Sequence, residues 1–348
     1  MSAKLQLQNK IINGSFDFWQ RGTSFAAIAN NVYNADRFHY IKTGAMIQTI
    51  ARSTDVPSSS SSIYSLLATV TTIDASIAVG DYTGIIQHIE GNVLRSFKSK
   101  KMVMTFWVKA FKAGTYCISI RNGTATRSLV LEYTVNASNT WEKKTVRFTH
   151  DTSGTWSYNN GIGLTVVFVQ ASGSTFQTTA GIWQNGQYLA TANQVNGVDN
   201  VANNFQLADV CLVEDNEGQT RVPDFMYAGR DYFEELQLCQ RYYVKTWGLN
   251  VPKASMNSSD GFRHRSQGVL SGNVFGTWSL PTPMRIIPAP KSYSPVTQAA
   301  GQIRDQSGGI DIGSLFVQVS EFVIVITNNG SVVSGNYYQW HMDADAEL

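Results

Sequence analysis

The chain of 348 residues is long enough for two ordinary domains, each able to bury a core without disulfides. Charged residues make up only 15% of it and the formal net charge is +2, which gives no electrostatic reason to expect nucleic acid or an acidic membrane as a partner. The three cysteines, Cys117, Cys211 and Cys239, are odd in number and far apart, so we expect free buried thiols.

The N-terminal segment is polar and shows no strand pattern, and we predict an anchor or arm over residues 1–10. Residues 1–15 lack the apolar core of a signal peptide, and no run in the chain approaches the ~20 apolar residues of a membrane span. We therefore expect a protein that folds in a cytoplasm without inserting into a membrane.

The sequence pattern predicts a series of strands in the first two-thirds of the chain. Apolar and polar residues alternate in KMVMTFWVKAF (101–111), and the alternation resumes in TRSLVLEYTV (126–135) after an Asn-Gly turn signal. Strand patterns recur at a spacing of roughly 8–12 residues, with no alternation of strands and helices. This indicates an all-β fold, with a jelly-roll-like β-sandwich over residues 11–228.

One segment breaks the strand pattern. DYFEELQLCQRYY places Tyr232, Leu236, Cys239 and Tyr243 on one helical stripe, and Asp231 three residues before Glu234 fits a capping box. We predict a short connecting helix over residues 229–243.

The amino-acid composition changes after this helix. Prolines cluster in SLPTPMRIIPAP (279–290), as is typical of an edge strand or a connection. QVSEFVIVIT (318–327) and NYYQWHMDADAEL (336–348) read as strands. We predict a smaller C-terminal β-domain over residues 244–348.

Signals for catalysis are absent from the sequence. The five histidines are scattered without metal-ligand spacing, and neither a G-x-S-x-G elbow nor a phosphate-binding loop is present. We therefore predict no catalytic residue and no cofactor. Oxygen-rich loops would allow a structural Ca²⁺, for which no ligands are assigned.

Aromatic residues in two loops are the candidate binding residues. A flat ring that stacks on the C–H face of a sugar, flanked by amides, is a physical basis for glycan binding. WSYNN and WQNGQY combine these features. The candidates are Trp156, Tyr158, Asn159, Trp183, Asn185 and Tyr188, with Trp247 as a further ring. The alternative is that these rings cover the ends of sheets.

Several stretches together resemble bacteriophage tail-fibre-type virion proteins. NKIINGSFDFWQRGTS (9–24) followed by YNADRFHY (33–40) is similar to the N-terminal signature of that family, although Phe38 stands where the family usually has Trp. The later matching stretches come in the order of the family; they are GIIQHIEG (84–91), MTFWVKAFKAGTY (104–116), NTWEKKTVRFT (139–149), FQLADVCLVEDNEGQTRVPDF (205–225), EELQLCQRYYVKT (234–246) and DADAEL (343–348).

The resemblance implies a sandwich related to carbohydrate-binding modules, carried on the virion surface. It implies that Phe16, Phe18 and Trp19 lock the first strand into the core and that Arg21 pairs with a carboxylate. It further implies folding in the bacterial cytoplasm, release by lysis, and a homo-oligomer, with a trimer favoured.

The function that follows is a non-enzymatic fibre or spike protein with two kinds of partner, other virion proteins of the capsid or tail and a host surface polysaccharide. One alternative is a purely structural decoration or adaptor protein. A second is a glycan depolymerase, which would need two carboxylates about 5–9 Å apart in a cleft.

Overall fold

The computed structural model describes residues 8–60, 62–215, 230–256, 261–266, 274–330 and 332–348. The chain forms two compact units. The first consists of Met1–Trp19, Thr23–Glu235 and Leu348, and the second of Gln20–Gly22 and Leu236–Glu347. Both are built from antiparallel β-sheets, so the predicted all-β fold is confirmed.

The first unit contains two facing sheets. In chain order its strands are β1 (Ser24–Phe25), β2 (Val32–Tyr33), β3 (Phe38–Thr43), β4 (Ile47–Ser53), β5 (Ser65–Thr72), β6 (Tyr82–Glu90), β7 (Lys101–Ala110), β8 (Gly114–Asn122), β9 (Arg127–Val135), β10 (Glu142–Thr149), β11 (Ile162–Ser172), β12 (Trp183–Asn185) and β13 (Asn204–Glu214). The six-stranded sheet has the order β1-β4-β5-β13-β7-β10, and the seven-stranded sheet has the order β12-β9-β8-β11-β6-β3-β2. A short helix α1 (Gly91–Leu94) follows β6.

The core of the first unit lies between the inner faces of these two sheets. Phe106 on β7 contacts Phe168 on β11, with 5.2 Å between ring centroids, and contacts Tyr133 on β9 at 5.0 Å. The alternation that predicts β7 produces this packing, because successive side chains of a strand point to opposite faces. Cys117 and Cys211 are buried and free, as expected.

The segment with the sequence NGSFDFW is buried, but it is not a strand. Phe16, Phe18 and Trp19 are fully buried, as the resemblance implies. No strand is present between residues 9 and 23, and the first one begins at Ser24. The expectation of a first strand in this segment is therefore wrong, because the segment folds as turns held by the side chain of Asn13.

Most of the predicted N-terminal arm, residues 1–7, lies outside the described residues. Asn9 is buried, its Nδ2 donates a hydrogen bond to the carbonyl oxygen of Val210 at 3.0 Å, and its Oδ1 accepts one from the amide of Leu212 at 2.8 Å. Asn9 thus belongs to the sandwich, attached to β13.

The predicted connecting helix is present as α2 (Tyr232–Gln240). Its capping box forms: the Asp231 carboxylate accepts hydrogen bonds from the amides of Phe233 and Glu234, both at 2.8 Å, and the Glu234 carboxylate accepts one from the Asp231 amide at 3.0 Å. These bonds satisfy amide groups that the first helical turn leaves unpaired.

The second unit is a single eight-stranded sheet with its own core. Its strands are β14 (Tyr243–Lys245), β15 (Phe262–Arg265), β16 (Val274–Ser279), β17 (Ala289–Tyr293), β18 (Gln302–Asp305), β19 (Ile310–Val319), β20 (Val323–Asn329) and β21 (Tyr337–Asp345). The central strand β21 pairs with β14, β15, β17 and β18. Trp340 on this strand is buried among Phe275, Ile324 and Met342. In the described residues, no helix is long and apolar enough to cross a membrane.

Candidate functional site

The two predicted aromatic loops meet at one edge of the seven-stranded sheet. Trp183 lies on the edge strand β12, and its ring packs perpendicular to that of Trp156, with 5.6 Å between centroids. Trp156 is only 8% exposed, and its Nε1 donates a hydrogen bond to the carbonyl oxygen of Ser153 at 2.8 Å. Trp156 therefore supports Trp183 from within the core and has no free face for stacking.

Trp183 is partly exposed and held in place. Its Nε1 donates a hydrogen bond to the carbonyl oxygen of Thr149 at 2.9 Å. Two residues later, the exposed Asn185 accepts a hydrogen bond from Nη1 of Arg127 at 3.1 Å. This edge thus combines an orientated indole ring with an amide, which is the chemistry predicted for a sugar site.

The other candidate residues have different surroundings. Tyr158 is partly exposed, with the Lys98 ammonium 5.0 Å from the centroid of its ring. Asn159 is exposed, but its Oδ1 accepts hydrogen bonds within its own turn, from the amide of Gly161 at 2.9 Å and from the hydroxyl of Ser157 at 2.7 Å. The side-chain oxygen of Asn159 is therefore already used by the loop.

Tyr188 lies on the outer face of the seven-stranded sheet, away from the core. It packs there beside a cluster of buried apolar residues that includes Val130, Val167 and Leu189. Trp247, in the second unit, is 5% exposed and donates from Nε1 to the carbonyl oxygen of Val251 at 2.9 Å. Trp247 is a packing residue, and the suggestion that it forms a further sugar-binding ring is wrong.

The outer face of the seven-stranded sheet carries a row of polar residues that the sequence reasoning missed. Residues directly opposite each other on neighbouring strands share a face. The registers Gln184–Ser128, Ser128–Arg121, Arg121–Thr165 and Thr165–His88 therefore form one line across five strands. Ring contacts then extend the line from His88 to His39, at 4.9 Å, and from His39 to Tyr33, at 4.8 Å. We call these seven residues the polar row.

Burial keeps the histidines of the polar row neutral. Burial, together with the nearby Arg37 and Arg121 guanidinium groups, lowers the pKa of His39 to about 3. Burial also lowers the pKa of His88 well below its usual range. In that uncharged state, Nδ1 of His88 lies 2.9 Å from the hydroxyl of Thr165.

We expect stability to fall on mild acidification because of two buried histidines. Burial lowers the pKa of His39 to about 3 and that of His150, which lies beside Asp151 and Lys98, to about 4. Between about pH 6.5 and pH 4, the unfolded chain binds protons at these rings and the folded chain does not. Each ring should therefore remove up to about 1.4 kcal/mol of unfolding free energy per pH unit in this window.

Urea unfolding at pH 7, 6 and 5 measures this effect. His39→Gln and His150→Gln should each reduce the slope relative to the unaltered chain. Burial raises the pKa values of carboxylates such as Glu235 and Asp343, so these groups stabilise the folded chain as the pH falls. The contribution of each histidine is therefore obtained by comparing its variant with the unaltered chain. An unchanged slope in both variants would contradict the expectation.

In the second unit, three of the stretches that resemble phage fibres meet around Arg21. Its guanidinium lies 3.7 Å from the centroid of the Tyr243 ring and forms ion pairs with Asp345 at 3.0 Å and Glu347 at 3.3 Å. The neighbouring Gln20 donates to the carbonyl oxygen of Tyr243 at 2.9 Å. The implied pairing of Arg21 with a carboxylate is confirmed, and its role is structural.

The second unit also has an open cavity of about 310 Å³. It is lined by Arg263, Gln306, Tyr337, Tyr338 and Gln339. Gln306 donates to Oε1 of Gln339 at 2.8 Å, and the guanidinium of Arg265 lies 5.4 Å from the centroid of the Tyr337 ring. Over the described part of the chain, no group of three or more His, Cys, Asp or Glu residues is arranged to hold a metal ion.

No protein-family model matches the chain, and no curated protein sequence matches it. Among solved structures, the chain is similar to the enzymatically active domain of bacteriophage CBA120 tailspike protein 4, with 13% identity, 55% of this chain and 21% of that chain covered, and a TM-score of 0.29. It is also similar to a family 11 carbohydrate-binding module from Clostridium thermocellum in complex with a β-1,3-1,4-mixed-linked tetrasaccharide. The identity is 11%, the match covers 56% of this chain and 96% of that chain, and the TM-score is 0.29.

A third similar structure is the C-terminal family 22 carbohydrate binding module of Clostridium thermocellum Xyn10B, with 9% identity, 58% of this chain and 98% of that chain covered, and a TM-score of 0.31. Each of these is a likeness in fold alone.

Proposed function

We propose that this chain is a non-enzymatic bacteriophage fibre or spike protein whose first unit binds a host cell-surface glycan. The observation that supports glycan binding is the edge of the seven-stranded sheet, where the partly exposed Trp183 is held by Thr149 and by the buried Trp156. An indole ring fixed in this way can stack on a sugar at little cost in conformational entropy.

The virion role is supported by the ordered series of stretches that resemble phage fibre proteins. The side chains that three of these stretches contribute interact with one another around Arg21, so the resembling residues act as a structural unit. In this proposal the protein folds in the bacterial cytoplasm, leaves by lysis, and is displayed on the virion as a homo-oligomer, with a trimer favoured. Its partners are capsid or tail proteins and the host polysaccharide, and trimerisation would multiply a weak sugar affinity.

A purely structural decoration or adaptor protein is the second candidate. The burial of Trp156 and Trp247 favours it, because both rings pack in the interior and present no binding face. The two functions differ in one measurable property, which is saturable binding to polysaccharide.

A microarray of purified bacterial surface polysaccharides tests the proposal. We expect the unaltered protein to bind some of them saturably. Trp183→Ala should bind about two- to tenfold more weakly, because stacking of an aromatic ring contributes about 0.5–1.5 kcal/mol. Val201→Ala, which truncates a 65% exposed side chain of the first unit, is the matched control and should bind normally.

Circular dichroism should show that Trp183→Ala remains folded. Trp156→Ala is expected to be less stable than Trp183→Ala, since the ring of Trp156 belongs to the core. A folded protein that binds none of the polysaccharides would favour the decoration role. Normal binding by Trp183→Ala would exclude the β12 edge as the site.

A further inference from the structure

One arginine of the polar row has no counter-charge. Arg121 on β8 is 6% exposed, and its Nε and Nη1 atoms are buried without a hydrogen-bond partner. Among the described residues, its guanidinium forms neither an ion pair nor a hydrogen bond. A buried charge without a partner costs several kcal/mol, so such residues are rare unless they serve a ligand.

The surroundings of Arg121 do not offset its charge. Burial lowers the pKa of Arg121 to about 10, so the guanidinium stays protonated at neutral pH. The two histidines of the row are neutral and supply no negative charge. The unpaired guanidinium of Arg121 therefore suits this part of the sheet to an anion.

Another arginine of the same sheet shows the usual arrangement. Arg127 on β9 pairs through Nε with the Asp151 carboxylate at 2.5 Å and binds Asn185 through Nη1. The side chain of Arg127 is 16% exposed, so Arg127, like Arg121, is largely buried. They differ in that Arg127 has a carboxylate partner and Arg121 has none.

We propose that the polar row binds the carboxylate of an acidic saccharide, with Arg121 as the ion-pairing residue. This inference rests on the proposed glycan function and specifies the class of sugar. A planar guanidinium matches a carboxylate in two parallel hydrogen bonds. The amide of Gln184 and the ring of His88, both partly exposed, suit the hydroxyls of a sugar ring.

The row reaches solvent on both sides of Arg121, one position beyond its buried neighbours Ser128 and Thr165. His88 and Gln184, which lie on the two sides of Arg121 in the row, are both partly exposed. Nδ1 of His39 is buried without a hydrogen-bond partner, and in the ring's neutral form it can donate or accept as the ligand requires. A bound saccharide carboxylate would therefore satisfy groups that are otherwise left unpaired.

The test compares acidic polysaccharides with neutral versions of themselves. The probes are polygalacturonate, hyaluronan and polysialic acid, each beside its carboxyl-reduced counterpart, and sodium acetate at the same carboxylate concentration. Binding is measured by calorimetry with the unaltered chain, with Arg121→Met, and with Arg147→Met as the control, because Arg147 lies in the six-stranded sheet and pairs with Asp215. At least one acidic probe should bind at least tenfold more tightly than its reduced form. Arg121→Met should abolish this difference, and Arg147→Met should keep it.

Thermal unfolding gives an independent result that does not depend on the choice of sugar. Arg121→Met removes an uncompensated buried charge and should raise Tm, whereas Arg127→Met breaks an ion pair and should lower it. A lower Tm for Arg121→Met would overturn the inference, since it would mean that the guanidinium stabilises the fold.

Three binding results would contradict the inference of an acidic saccharide. Equal binding of acidic and reduced probes would refute the acidic class and leave the general glycan function intact. Binding of acetate as tight as that of the polymers would show an anion site with no saccharide specificity, which overturns the inference. Failure of all three acidic probes to bind would overturn it as well, while binding to neutral members of the polysaccharide microarray would still support the proposed function.

Discussion

Replacing Trp19 with alanine is expected to lower the unfolding free energy of the first unit by about 3–5 kcal/mol, the range for buried aromatic truncations. Trp19 is completely buried in the core of the sandwich, and its Nε1 donates a hydrogen bond to the carbonyl oxygen of Phe16 at 2.7 Å. The alanine variant would lose this burial, leave a cavity, and leave the Phe16 carbonyl without its donor.

Thermal unfolding measures the effect of this substitution. For a unit of this size each kcal/mol corresponds to about 2–4 °C, so Tm should fall by roughly 6–20 °C. Val201→Ala is the control, because surface truncations usually change stability by less than about 0.5 kcal/mol. A Trp19→Ala variant that unfolds within a few degrees of the unaltered protein would mean that the segment around Trp19 does not belong to the core.

The second large effect is expected at Asn13, whose side chain holds the turns before the first strand. Its Nδ2 donates to the carbonyl oxygens of Phe18 at 2.8 Å and Asp36 at 3.0 Å, and its Oδ1 accepts from the amide of Phe18 at 3.0 Å. Asn13 is fully buried and has a φ of 61°, in the left-handed region that asparagine tolerates better than most residues. Asn13→Ala should cost about 3–4 kcal/mol, from three lost hydrogen bonds and from backbone strain.

Two further variants separate these contributions in urea unfolding. Asn13→Gly keeps the left-handed backbone without strain, so it should be about 1 kcal/mol more stable than Asn13→Ala. Asn13→Asp keeps the acceptor for Phe18 and loses both donated bonds. If alanine, glycine and aspartate all unfold like the unaltered chain, the side chain of Asn13 does not hold these turns.

Several features of the fold could be predicted because they depend on neighbours along the chain. The alternation in β7 decides which side chains face the core, and it needs no knowledge of the partner strand. The capping box of Asp231 and Glu234 joins residues three apart, and it forms as the sequence indicates. The binding role of the candidate residues Trp156, Tyr158, Asn159, Trp183, Asn185 and Tyr188 remains a prediction, although the structure brings Trp156 and Trp183 together.

The sequence could not show which of two similar tryptophans is exposed. Trp156 and Trp183 both stand near turns and amides, yet one belongs to the core and the other lies on an edge strand. That difference depends on where β12 pairs, beside β9 and at the end of the sheet. Pairing between strands distant in sequence is set by the packing of the whole sheet, and it leaves little trace in local composition.

The sequence by itself determined the strands, the short helix and the hydrophobic faces of this protein, because each follows from side-chain periodicity or from capping over a few residues. Only the tertiary structure decided that Arg121 has no counter-charge. The sheet order β8-β11-β6-β3 places His88 and His39 near this arginine, while Asp151 pairs with Arg127 instead. Charge compensation depends on distances in space, and strands that are neighbours in this sheet come from distant parts of the chain.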